Sequence, residues 1–318
     1  MTASDETPAI ASPEGIVGVS RSDTAGVAHE RAERGRMWIV AAAVLWSSSG
    51  LFAKAPAFDI WPSESRGVLL AFWRALFAGL LLLPFVRRPR WDSRLVPLCV
   101  TFAAMNVTYL SAMTLSTAAN AIWLQSTAPW GVLLFGLVAL GQPLVRAERL
   151  PLVIGGLGLA IILAFELRGQ AQTGVLCGLI SGMTYAGVVL SLRALWSQDS
   201  VWLIVVSHLA TAAVMLPYVI YLDIWPDAGQ LPVLAAFGFL QMAVPYVMFA
   251  RGLRSVTSQE ATIIGLLEPL LLPLWVYLAW SEAPAPWTLV GGGLILAGLI
   301  LRYAVPWARA VESHPPSP

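Results

Sequence analysis

Two charged side chains stand inside long apolar runs. Arg74 lies in "AFWRALFAGLLLLP" (71–84), and Glu268 lies in "GLLEPLLLP" (265–273) beside two prolines. In hydrocarbon an ionised side chain costs from ~3 to over 10 kcal/mol, depending on the water or counter-charge that reaches it. Both therefore belong on interior faces of a helical bundle. A guanidinium there can grip a carboxylate or phosphate through two hydrogen bonds, and a carboxyl group can contact substrate or carry a proton. The same two residues could instead form an ion pair with a purely structural role.

The prolines add a second kind of chemistry. Pro269 and Pro273 free the carbonyls of Gly265 and Pro269, which lipid cannot satisfy. Such a segment is expected to line a polar or hydrated space. Pro129 repeats the device in "LQSTAPWGVLL" (124–134), where Gln125, Ser126 and Thr127 precede it. Pro129, Pro269 and Pro273 are thus the expected helix breaks. Candidate substrate contacts are Arg74, Trp46, Tyr109, Trp123, Gln125, Tyr185 and Glu268, with Glu268 also the candidate coupling group. Trp46 and Trp123 could wall a cavity for an apolar or aromatic group, or simply pack. Asn106, His208 and Gln241 are further polar residues at membrane depth, a type that more often bonds helix to helix. Lys54, near an apolar segment's end, is expected to reach the interface along its stem.

The elements that position these residues follow from composition. The chain has 318 residues, 58% hydrophobic and 12% charged, with a mean hydropathy of +0.73. A soluble domain is about 25% charged, so the chain reads as an integral membrane protein. Its net charge of +1 gives no support to a nucleic-acid partner. Cys99 and Cys177 fall in apolar segments without metal-ligand spacing, and no metal or cofactor is implied.

A spanning helix needs about 20 mostly apolar residues. Ten segments qualify: 37–56, 67–86, 95–115, 118–140, 149–167, 171–192, 200–221, 230–250, 258–280 and 285–305. The expected fold is all-α. Residues 1–36 are polar, lack the features of a signal peptide, and read as a disordered tail; 307–318 read as a second tail. With the amino terminus inside, fifteen Lys and Arg residues fall on the cytoplasmic side. Only Lys54, Arg66 and Arg168 fall outside, which predicts both termini in the cytoplasm.

The halves of the chain resemble each other. "LVIGGLGLA" (152–160) matches "LVGGGLILA" (289–297) in seven of nine positions. Upstream, "TAANAIWLQSTAPWGVLL" aligns with "TSQEATIIGLLEPLLLPL", pairing Thr117 with Thr257 and Pro129 with Pro269. Two repeats are expected, 37–169 and 170–306, with five helices each. An odd number makes the second copy enter the membrane from the opposite side, the arrangement of many secondary transporters.

These stretches, with "VLWSSSGLFAK" in the first helix, the paired prolines, "LLEP" and the "SE" at 281–282, resemble the EamA family of the drug/metabolite transporter superfamily. The resemblance covers about 37–305. It implies a ten-helix carrier of the bacterial inner membrane, usually an exporter of amino acids, related metabolites or drugs. Gln142 departs from the family's usual Glu, and no arginine in the second repeat answers Arg74.

An enzyme is the rival class. The sequence has no GxSG-type nucleophile, no HExxH and no Walker A motif. The expected partners are a small-molecule substrate and the lipid bilayer, with the chain acting as a monomer or homodimer. Downhill facilitation, exchange and proton antiport through Glu268 remain as modes of transport.

Overall fold

The computed structural model describes residues 21–139, 141 and 143–313. The expected tail over 1–20, Gln142 and the last five residues lie outside them. Ten helices are long and apolar enough to cross a membrane, and the described residues contain no strand. They are α1 (Glu30–Ala53), α2 (Ser63–Phe85), α3 (Leu95–Leu115), α4 (Ala118–Ala139), α5 (Arg146–Glu166), α6 (Gln172–Ala194), α7 (Ser200–Leu222), α8 (Gln230–Gly252), α9 (Ser258–Trp280) and α10 (Pro286–Trp307). Hydropathy finds the apolar centre of a helix, whereas its polar ends continue beyond it. Both expected tails are corrected in part: the first helix already begins at Arg21 and the last runs on to Ser313, so 21–36 and 307–313 are helical.

Packing follows the repeat. α2 lies on α7 and α5 on α10, each helix against its own counterpart, while α3 on α6 and α8 on α1 form an exchanged pair. This is a pseudo-two-fold between antiparallel five-helix halves. The glycines of the matched segments set the α5–α10 contact. A Cβ on Gly158 would lie 2.3 Å from the Gly291 carbonyl oxygen, and one on Gly291 would lie 2.6 Å from that of Gly158. Only residues without side chains allow backbones so close. The two ends of the bundle are distinct: the terminal end carries residues 30 and 307, and the distal end carries the α1–α2, α3–α4 and α9–α10 connections.

Candidate functional site

α4 and α9 are both broken near mid-membrane. α4 consists of Ala118–Gln125 and Ala128–Ala139, and α9 of Ser258–Gly265 and Leu267–Trp280. Their first pieces are capped alike, the Thr117 and Thr257 side chains accepting from the Asn120 and Glu260 amides. Pro129 and Pro269 occupy the first turn of each second piece, where a missing N–H leaves nothing unsatisfied. At the α4 break the Ser126 and Thr127 hydroxyls donate to the Ile122 and Leu124 carbonyls, at 2.7 and 2.6 Å. Pro273 corrects an expectation, since it lies within the continuous Leu267–Trp280 helix and does not break it.

A third irregularity was not anticipated. α8 carries a π-helical turn over Phe239–Ala243, followed by Pro245. Pro245 cannot bond the Gln241 carbonyl four residues back, and a π-turn adjusts the ladder locally. That proline was the available signal.

The π-turn presents Gln241 to Arg74. Arg74 Nη1 donates to Gln241 Oε1 at 3.1 Å, Nη2 donates to Asn106 Oδ1, and the guanidinium lies 5.1 Å from the centroid of the Phe237 ring. Arg74 is 1% exposed, and its Nε has no partner among the described residues. Gln241 also donates to the Trp46 carbonyl, at 3.3 Å. Tyr109, equally buried, shares a 3.1 Å hydrogen bond with Ser49. His208 is fully buried, edge-on to Phe102, with both ring nitrogens unpartnered among the described residues.

Glu268 makes no direct bond to this cluster, although Arg74 and Tyr109 lie within its electrostatic range. No salt bridge joins it to Arg74, so the structural ion pair of the alternative reading is not formed. The residue is half-buried, and its carboxylate takes no hydrogen bond from any described residue. Three residues earlier, across the break, a Cβ on Gly265 would meet nothing within 4 Å. Tyr185 faces the same space. Its helix face holds Gly178 against Leu124 and Ser181 against Gln125, whose Nε2 donates to Ser181 at 2.9 Å. Tyr185 is nonetheless 40% exposed, and with half-buried Glu268 it marks a candidate crevice where α6 and α9 both pack on α4. Tyr246 of α8 lies within electrostatic range of Arg74 and Glu268, and Tyr185 within range of Tyr246 and Glu268. Trp46 backs Tyr246 and Phe249, with ring centroids 5.3 and 5.2 Å away.

The expected residues thus separate. Glu268, Tyr185 and Gln125 border the crevice, with Trp46 behind Tyr246. Arg74 and Tyr109 are sealed beneath it. Trp123 is elsewhere, 5% exposed and filling the notch at Gly292 of α10. Tyr246 was missed because a tyrosine in an apolar run reads as packing.

The two ends of this candidate crevice are packed differently. At the distal end Ala118–Gln125 of α4 packs against Leu267–Trp280 of α9. The pseudo-symmetric contact at the terminal end, between Ala128–Ala139 and Ser258–Gly265, is at most slight. Polar links add to the distal closure. Lys54, expected to reach the interface, instead lies 2.7 Å from Glu282 and donates to the Ser116 carbonyl at 2.8 Å. Glu282 also accepts from the Ala118 amide at 2.7 Å, and the Trp280 indole donates to the Leu51 carbonyl at 3.1 Å.

Residues 33–164 and 172–304 each match the EamA-like transporter family. The chain belongs to that family. Both matches coincide with the five-helix halves, so the EamA-like repeat is the unit that the pseudo-two-fold relates. An uncharacterized transporter of Archaeoglobus fulgidus is 29% identical over 272 residues, 85% of this chain and 96% of that protein. The pseudopaline exporter CntI of Pseudomonas aeruginosa is 27% identical over 245 residues, 73% of this chain and 84% of its own. Protein PecM of Dickeya dadantii is 25% identical over 254 residues, 74% and 82% of the two chains. A solved crystal structure covers 90% of this EamA-like chain and 99% of its own, with a TM-score of 0.59 at 18% identity, a likeness of fold.

Proposed function

We propose that this chain is a secondary transporter that exports a small metabolite, such as an amino acid or related compound, across the bacterial inner membrane by alternating access. Both termini lie in the cytoplasm, and the crevice mouth faces it. The observation that supports this reading most is the unequal pairing of α4 and α9. Two inverted repeats can exchange conformations, and exchange here would join Ala128–Ala139 to Ser258–Gly265 while parting the distal halves. The crevice would then open on the other side with its bordering residues unmoved. Similarity to a pseudopaline exporter supports the outward direction.

The test is counterflow into proteoliposomes holding purified protein, using labelled amino acids with and without a pH gradient. Saturable exchange that stops when the distal halves are cross-linked supports the reading. Uptake indistinguishable from protein-free vesicles across amino acids, organic cations and peptidic metabolites would end it.

A further inference from the structure

Asn106 and Gln241, the two amides that hold Arg74, occupy the same position in the two repeats. α3 and α8 align without a gap from their starts to that point. Pro97 answers Pro232, Phe102 answers Phe237 and Asn106 answers Gln241, each pair 135 residues apart. One guanidinium on α2 therefore bonds equivalent side chains of both halves, Gln241 through Nη1 and Asn106 through Nη2. The phenylalanines are used in the same symmetric way. Phe237 of α8 has its ring centroid 5.1 Å from the Arg74 guanidinium of α2, and Phe102 of α3 has its centroid 4.9 Å from that of His208 on α7.

The pseudo-two-fold that turns the α2–α8 contact into the α7–α3 contact thus makes His208 the counterpart of Arg74. Counting back ten residues from Pro84 and Pro217 aligns Arg74 with Ser207, one residue short of His208. Ser207 donates to the Leu203 carbonyl at 2.7 Å, so the imidazole is the side chain that fills the slot. The two slots differ in what they bond. Arg74 holds both amides, whereas fully buried His208 has no partner on either ring nitrogen among the described residues. An imidazole carries at least one N–H in either protonation state, and a buried donor left unmet is costly. An intramembrane ionisable residue without a partner in one arrangement of the helices calls for one in the other.

We infer that Arg74 and His208 share the two amides in turn. Arg74 holds Asn106 and Gln241 while the terminal end is open, and His208 takes Gln241 when the distal end opens. Exchange of the repeats' conformations gives α7 the relation to α8 that α2 now has to α3, where Arg74 bonds the amide of its own repeat. One imidazole N–H meets one amide oxygen, so Arg74 keeps Asn106 and the guanidinium is never left bare. His208 is thus a positioning residue for the distal-open state, acting through Gln241. This rests on the alternating-access reading, which supplies the second state.

The test reads both states at one thiol. In a Cys99→Ala/Cys177→Ala background, Gly265→Cys adds a side chain whose Cβ has open space. An impermeant maleimide reaches it from the distal side in whole cells and from the terminal side in inverted membrane vesicles. His208→Phe keeps a ring against Phe102 and removes both nitrogens, so thermal stability and terminal-side labelling should hold. Distal-side labelling should fall roughly fivefold, the weight of one net hydrogen bond. His208→Gln, which restores a donor, should recover most of it. In a Gln241→Leu background His208→Phe should bring no further fall, since the partner is gone. Where the larger ring folds poorly, His208→Leu carries the same comparison. Unchanged distal labelling on loss of the imidazole, or an equal fall with and without Gln241, would overturn the inference. A thiol inert from both sides would overturn the crevice and this exchange together. Failed counterflow beside the fivefold shift would count against transport and leave the exchange of partners standing.

Discussion

Lys54 Nζ stands 2.7 Å from Glu282 Oε2, joining the first repeat to the second at the distal end of the bundle. Each partner also bonds the α3–α4 connection, through the Ser116 carbonyl and the Ala118 amide. Three connections from two repeats are therefore tied at one point. That point lies over the contact between the distal halves of α4 and α9, the contact that must part if the crevice is to change sides.

The clasp should bias the access equilibrium rather than the fold. Both partners are partly buried and share further hydrogen bonds, so the pair belongs near the upper end of the usual ~0–1 kcal/mol. Glu282→Gln should shift the terminal-open to distal-open ratio by up to about fivefold toward the distal-open state. Labelling of a thiol at Gly265→Cys by an impermeant reagent from the distal side should rise accordingly. A Lys54→Glu/Glu282→Lys exchange should restore only part of the original ratio, because the exchanged groups cannot bond the Ser116 carbonyl and the Ala118 amide. Unchanged distal labelling in Glu282→Gln would make the clasp a surface feature.

Arg74 should behave as a structural residue. Removing it strands the Asn106 and Gln241 oxygens, each unmet buried acceptor costing about 1–3 kcal/mol. Arg74→Leu should lower the thermal stability of purified protein measured by size-exclusion chromatography after heating. Arg74→Lys keeps the charge without the two-pronged geometry and should recover only part of the loss. Protein that survives should still support counterflow. Full stability in Arg74→Leu with lost counterflow would reverse the assignment.

Glycines in the matched segments should divide by neighbour. A side chain on Gly158 meets the Gly291 backbone, whereas one on Gly156 or Gly293 meets nothing within 4 Å. Gly158→Val should therefore cost about 1–3 kcal/mol and reduce the yield of folded protein. Gly156→Val should stay close to wild type. Equal yields from the two would show that α5 and α10 do not cross so closely in the membrane.

Orientation can be read with reporter fusions. Insertions after residues 60, 116, 168, 226 and 283 should all report the outer side, following the fifteen-to-three distribution of basic residues. Cytoplasmic signals from two or more would contradict the inverted arrangement.

Sequence by itself determined what depends on single segments. Hydropathy gave ten spans, because each helix must satisfy its own backbone and match the bilayer whatever its neighbours do. The repeated Thr, Pro and Gly landmarks gave the two halves and their opposite directions, and also the breaks ahead of Pro129 and Pro269. The depth of Arg74 and Glu268 followed from position alone. Their partners did not, because a partner depends on how each helix is rotated against helices distant in the chain. Asn106 lies 32 residues from Arg74 and Gln241 lies 167 away, brought in by a π-turn that no hydropathy pattern records. Only tertiary structure decided that Arg74 is sealed by amides while Glu268 is open, that Trp123 fills a notch at Gly292 rather than the crevice wall, and that Lys54 meets Glu282. Pro273 makes the same point on a smaller scale. A proline removes one hydrogen bond anywhere in a helix, but whether the helix then breaks or continues is set by the packing around it.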